Sequence, residues 1–213
     1  MTRTKICGIS AIDDGRVALD AGADLLGFVF YPPSHRFIEP TSAAEIIQKL
    51  RAHRPTGWQA VGVVVNIPLE QMNTIAEHCS LDLIQVCGDE DDSYCRALNR
   101  PVIKTLTLKD GEQLSSVQFD PGRYGAIRIL VDSHRPGMYG GTGQTSDWAA
   151  LTPFLGEAIL AGGLNPINVT QAIAQARPWG VDVSSGVERN KQKDHQLIRD
   201  FLRAVHALDG VPR

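Results

Sequence analysis

An α/β fold, a single (β/α)8 TIM barrel over residues 1–213, is the architecture this sequence predicts, and three observations predict it. Short apolar runs alternate with helix-period segments along the whole chain. Most of these runs are rich in Val, Ile and Leu, as strands covered on both faces must be. Eight such units fit into 213 residues, with no linker, low-complexity tract or charge block to divide them. A doubly wound open sheet also repeats strand and helix, but eight strands there usually need more chain.

Taken in order, the predicted strands are Thr4–Gly8, Leu25–Phe30, Ala60–Val65, Leu81–Cys87, Val102–Leu108, Ile127–Asp132, Ala158–Ala161 and Val181–Ser184. Between them, Ile46, Ile47 and Leu50 share one helix face, and Leu69, Met72, Ala76 and Cys79 another. Val169, Ala172, Ile173 and Ala176 form a later apolar stripe, and Leu197, Ile198, Phe201, Leu202 and Val205 the last. Pro40, Pro68, Gly88 and Asn165-Pro166 punctuate the units. The fifth helix is the poorest in signal: Gly111, Pro121 and Gly122 restrict it to one or two turns near Glu112–Val117.

Composition narrows the function. Hydrophobic residues are 43% and charged residues 21%, with a net charge of −3, so no basic footprint for nucleic acid or an anionic membrane is present. No apolar run is long enough to span a bilayer, and the start of the chain has no signal-peptide pattern, so a cytosolic protein is expected. Cys7, Cys79, Cys87 and Cys95 are then expected as free thiols. Their spacing is not that of paired zinc ligands, and Cys79 falls on an apolar helix face; no metal is expected.

In a parallel barrel the active site lies at the carboxyl ends of the strands. Two glycine-bearing turns stand at the ends of strands seven and eight, Ala161-Gly162-Gly163-Leu164 and Ser184-Ser185-Gly186-Val187. Glycine lets backbone N–H groups approach an anion, and in barrels these two loops recurrently hold phosphate. Gly162, Gly163, Ser185 and Gly186 are therefore expected to bind phosphate. The long segment from Asp132 to Trp148 carries Gly140-Gly141-Thr142-Gly143 and has the character of a lid, with Gly143 closing over the same phosphate.

Cys7 puts a thiol at the mouth of strand one, and Asp132 puts a carboxyl group at the end of strand six. A thiol of lowered pKa can act as a base, and a carboxyl group of raised pKa as an acid. An acid and a base on either side of a phosphosugar pocket describe an isomerase that works by proton transfer, without a cofactor. Arg36, in the loop after strand two, has the planar fork that suits a carboxylate or phosphate. Lys5 shares a strand face with Cys7, and Asp182 lies on the neighbouring strand eight, so the two are expected to pair inside the barrel.

The ordered motifs Lys5-Ile6-Cys7-Gly8, Ser34-x-Arg36, Gln85 with Gly88-Asp89-Glu90, Asp132-Ser133, Gly140–Gly143 with Asp147-Trp148, Ala161–Pro166 and Gly180–Glu188 resemble those of the phosphoribosylanthranilate isomerase family over essentially the whole chain. The resemblance implies an Amadori rearrangement of an aminoaldose phosphate to the aminoketose, in tryptophan biosynthesis. It implies that Asp132 protonates the ribose ring oxygen, that Cys7 as thiolate removes the proton on the second sugar carbon, and that Arg36 holds the anthranilate carboxylate. Three departures stand out: Cys87 where histidine commonly follows Gln-x, Gln144 where lysine is frequent, and His35 where proline is frequent. The partner expected is a small-molecule substrate, with neither nucleic acid nor membrane, and the active form a monomer or homodimer. The alternatives are a related phosphosugar isomerase of histidine biosynthesis, expected to carry aspartate at the position of Cys7, and a phosphate-binding barrel without activity.

Overall fold

The computed structural model describes residues 1–107, 121–132 and 156–208. Eight parallel strands, β1 (Arg3–Cys7), β2 (Leu25–Val29), β3 (Gln59–Val64), β4 (Leu83–Val86), β5 (Val102–Thr107), β6 (Arg128–Asp132), β7 (Ile159–Ala161) and β8 (Gly180–Val183), form a closed barrel in sequence order. Closure is made by β1 against β8, with Lys5 opposite Asp182. Every predicted strand is present, and the ends move for local reasons. Gly8, at φ +83°, turns the chain off β1 one residue early. Leu81 is not in a strand: its N–H bonds the Ala76 carbonyl as the preceding helix unwinds through Ser80, at φ +52°.

Around the barrel lie α1 (Ile12–Asp20), α2 (Pro40–His53), α3 (Leu69–His78), α4 (Asp92–Ala97), α5 (Pro121–Tyr124), α6 (Val169–Ala176) and α7 (His195–His206). The apolar stripes face the barrel as their periodicity requires. Ile47 and Leu50 of α2, Met72 and Ala76 of α3, all four stripe residues of α6, and Ile198, Phe201, Leu202 and Val205 of α7 are buried in one continuous outer core. Asp91 and Asp194 cap α4 and α7 by accepting first-turn N–H groups. A helical turn also forms at Pro121–Tyr124, beyond the predicted Glu112–Val117, because proline at the first helical position forgoes an N–H that has no partner there. Residues 112–117 lie outside the described residues.

The barrel interior has its own core. Leu25, Val61, Leu83, Ile103, Leu130, Ile159 and Ala161, contributed by β2 to β7, fill its lower and middle part. Above them Cys7, Val29 and Val63 form a smaller cluster, with Cys87 packed against it. Into this apolar interior the chain inserts Lys5, 1% exposed, whose Nζ donates to Asp182 Oδ1 at 3.0 Å. A buried ammonium needs such a partner, and strand parity and neighbourhood alone predict which one it finds.

Candidate active site

Cys7 ends β1 at the mouth and is 7% exposed. The next residue explains how Arg36 reaches it. A Cβ at Gly8 would lie 2.6 Å from Arg36 Cδ, so the arginine stem crosses the bare glycine backbone immediately beside Cys7. Ser34 supports the same loop, its Oγ accepting the Arg36 N–H at 3.1 Å, and Ile38 N–H returns to the Val29 carbonyl at 3.0 Å. The Ser34-x-Arg36 spacing is thus that of a side-chain-braced turn.

The guanidinium group of Arg36 is already engaged. Nε and Nη2 donate to the two carboxylate oxygens of Glu188 at 2.7 and 2.8 Å. Lys193 Nζ donates to Glu188 Oε1 at 2.6 Å and to the Ser184 carbonyl at 3.0 Å, and His35 Nε2 is 3.5 Å from Glu188 Oε2. Glu188 and Lys193 lie on a small hairpin after β8, formed by β9 (Glu188–Arg189) and β10 (Gln192–Lys193). Burial alone would raise the Glu188 carboxyl. The hydrogen bonds and charges of Arg36 and Lys193 outweigh it and bring the pKa down to about 2. Ser184 Oγ donates to the Cys7 carbonyl at 3.1 Å, so this ion cluster is hydrogen-bonded to the end of β1.

Asp132 closes β6 and is partly exposed. It lies two residues beyond Leu130, which belongs to the interior core, so the pleat places it on the interior side, in register with Thr107 and Ala161. Around the ring, β7 and β8 separate it from β1.

The two glycine turns are brought together by backbone contact. A Cβ on Gly186 would lie 1.8 Å from the Leu164 carbonyl oxygen, so the loop after β8 rests directly on the loop after β7, and only glycine fits. Gly162 and Gly163 both take positive φ, +90° and +65°. Asn165 Oδ1 accepts the N–H groups of Ile167 and Asn168, and Asn168 Nδ2 holds the Gly163 carbonyl at 3.0 Å. Ser185 and Gly186 sit in a short 3-10 turn, Ser185–Val187. Gly143 and the lid segment after Asp132 lie outside the described residues.

Cys87 takes no charge. Its Sγ lies 3.3 Å from both Gln85 Nε2 and Thr105 Oγ1, and burial pushes its thiol up to about 11 even though these contacts pull it down. It therefore behaves as a neutral lining group. Cys79 and Cys95 are buried on the helix side of the barrel. Sequence reasoning missed the roles of Glu188 and Lys193. Glu188 fell within a recognised motif, and its place just past the glycine turn of strand eight was the available signal; Lys193 offered none.

A closed parallel barrel with a thiol, a carboxyl group, an arginine and a paired glycine-loop floor at its carboxyl end is that of a barrel enzyme handling an anionic small molecule. The family model described as N-(5'phosphoribosyl)anthranilate (PRA) isomerase matches residues 4–204, and the chain belongs to that family. The N-(5'-phosphoribosyl)anthranilate isomerase of Geotalea daltonii is 44% identical over 215 residues, covering 99% of this chain and all of that protein. The crystal structure of phosphoribosyl anthranilate isomerase from Thermotoga maritima superposes with a TM-score of 0.85 at 36% identity, over 97% of this chain and all of that one. A second structure of such an isomerase, in complex with reduced 1-(o-carboxyphenylamino)-1-deoxyribulose 5-phosphate, gives a TM-score of 0.82 at 34% identity over the same shares.

Proposed function

We propose that this isomerase converts N-(5'-phosphoribosyl)anthranilate to the aminoketose with Asp132 as general acid and Cys7 as general base. Asp132 protonates the ribose ring oxygen as the ring opens to the protonated Schiff base. Cys7, as thiolate, takes the proton from the second sugar carbon, and the resulting enolamine tautomerises to the ketone. Only protons move, so the residues named suffice for the chemistry.

The observation that carries this reading is the passage of Arg36 over Gly8 beside Cys7, which sets a carboxylate-binding cation next to the base. Glu188 occupies Nε and Nη2 and fixes the plane of the guanidinium, leaving Nη1 to receive the anthranilate carboxylate. The phosphate falls to the backbone of Gly162, Gly163, Ser185 and Gly186, with Gly143 closing above it. The setting we propose is the cytosol, as a monomer or homodimer, with neither nucleic acid nor membrane as partner.

The test is a fluorescence assay of phosphoribosylanthranilate loss with the purified full chain, parent against Cys7→Ser and Asp132→Asn. Turnover by the parent and its collapse in both variants is the expected result. Parent activity in Cys7→Ser would remove Cys7 from its role.

A further inference from the structure

We propose that Lys5 is a positioning residue for Cys7: its buried ammonium group holds the Cys7 thiolate at the barrel mouth, and Asp182 sets how strongly it does so. The inference rests on Cys7 being the base of the reaction, and it deepens that reading by naming what keeps the base ionised.

Three pieces of geometry carry it. Lys5 and Cys7 point to the same side of β1, one pleat apart. Gly27 stands opposite Cys7 on β2, and a Cβ there would meet Cys7 Sγ at 3.0 Å and Lys5 Nζ at 3.1 Å. Thiol and ammonium therefore converge on one bare Cα, and any side chain at this place would press on both. One of the three donors of the ammonium goes to Asp182 Oδ1, at 3.0 Å, which leaves donors that can turn to Cys7.

A buried ion pair beside a barrel core built mainly of Leu, Ile and Val is an expensive way to fill space, since apolar replacements of similar volume are often neutral or stabilising. Its chemistry supplies a reason. Burial raises the pKa of Cys7, which opposes a base that must act as thiolate. The charge of Lys5 is the largest force pulling it back, assisted by a hydrogen bond, while Asp182 pushes it up and Lys193 pulls it down. Of the other groups facing this corner, Cys87, just after β4, is a neutral thiol, and Asp132 stands three strands away around the ring. Lys193 and Arg36 share the one carboxylate of Glu188, so their cluster stays cationic; it acts on Cys7 in the same direction as Lys5 and is left intact when Lys5 or Asp182 is replaced.

The test reads Cys7 ionisation apart from catalysis. The rate of iodoacetamide alkylation of the full chain is followed against pH at the Cys7 peptide by mass spectrometry, for the parent, Lys5→Met, Asp182→Asn and the double variant. Lys5→Met should raise the midpoint, with about tenfold less thiolate and about tenfold slower alkylation at a pH below it. Asp182→Asn should lower the midpoint. Opposite signs separate an electrostatic role from a structural one, because loosening of the barrel would expose Cys7 and speed its alkylation in both variants. A midpoint that stays in place in Lys5→Met, or moves the same way in both single variants, overturns the proposal. If Lys5→Met does not fold, the double variant, which leaves no unpaired buried charge, takes its place: its midpoint must lie above that of Asp182→Asn. The alkaline-going limb of kcat/KM should follow the alkylation midpoint. If alkylation shifts and kcat/KM does not, Lys5 controls Cys7 but Cys7 is not the base.

Discussion

Arg36 and Glu188 meet as a bidentate ion pair, at 2.7 and 2.8 Å, between the loop after β2 and the hairpin after β8, 152 positions apart in the chain. Lys193, with a side chain 2% exposed, shares the same carboxylate. Glu188→Ala should therefore do more than free Arg36. It strips a buried ammonium of its counter-ion, and breaking such a pair typically costs about 3 kcal/mol. A denaturant midpoint well below that of the parent, together with a raised KM, is expected. An unchanged KM would mean that the orientation of Arg36 does not matter for binding.

The same carboxylate gives a pH signature. Its folded-state pKa, about 2, lies below its ordinary value of 4.5. Glu188 therefore contributes stability that is fully present above the ordinary value and is lost as pH falls through the folded one. Unfolding free energies of the parent and of Glu188→Gln, measured over this acid range, should converge as pH falls. A gap that stays constant would show that the charge on Glu188 contributes nothing.

For the chemistry itself, Cys7→Ser and Asp132→Asn keep shape and remove the titrating group. General acid–base groups typically contribute about 10²–10⁴-fold each, so kcat should fall by that order with KM little changed. Arg36→Ala should act in the other parameter, raising KM, since it removes binding energy common to ground and transition states. A KM effect from Asp132→Asn without loss of kcat would reassign the acid.

Two glycines near the proposed phosphate floor should respond differently. Gly186→Ala drives a methyl group into the Leu164 carbonyl, 1.8 Å from the ideal Cβ, and must displace one loop or the other. Gly163 meets nothing within 4 Å, so Gly163→Ala is opposed only by its φ of +65°, at a cost of about 1 kcal/mol. Competitive inhibition by inorganic phosphate should weaken strongly in the first variant and modestly in the second. Equal effects would argue that loop contact is irrelevant to the anion site.

Much of this molecule was legible in the sequence because a parallel barrel writes its strands as apolar runs. Lys5 and Asp182 could be paired in advance because parity and strand adjacency are both one-dimensional facts, read from spacing and element order. The placement of Cys7 and Asp132 at strand ends follows from the same logic. Glu188 and Lys193 escaped because their hairpin obeys no hydrophobic period. It turns through Asn190 and Lys191, both at positive φ, and contributes polar atoms to the mouth instead of apolar ones to the core. Likewise Glu90 accepts N–H groups of both Asn66 and Gly88 and pairs with buried Lys104, joining loops after β3 and β4 to β5. Such cross-loop carboxylates depend on three-dimensional closure, which spacing alone does not encode.

The bare Cα of Gly186 against the Leu164 carbonyl has a consequence for anyone remodelling this barrel. The segments after β7 and β8 are a single interlocked part, and neither can be grafted into another scaffold, lengthened or exchanged by itself. A recombination breakpoint placed between them would cut through this interlock, whereas one placed before β7 would carry it over whole.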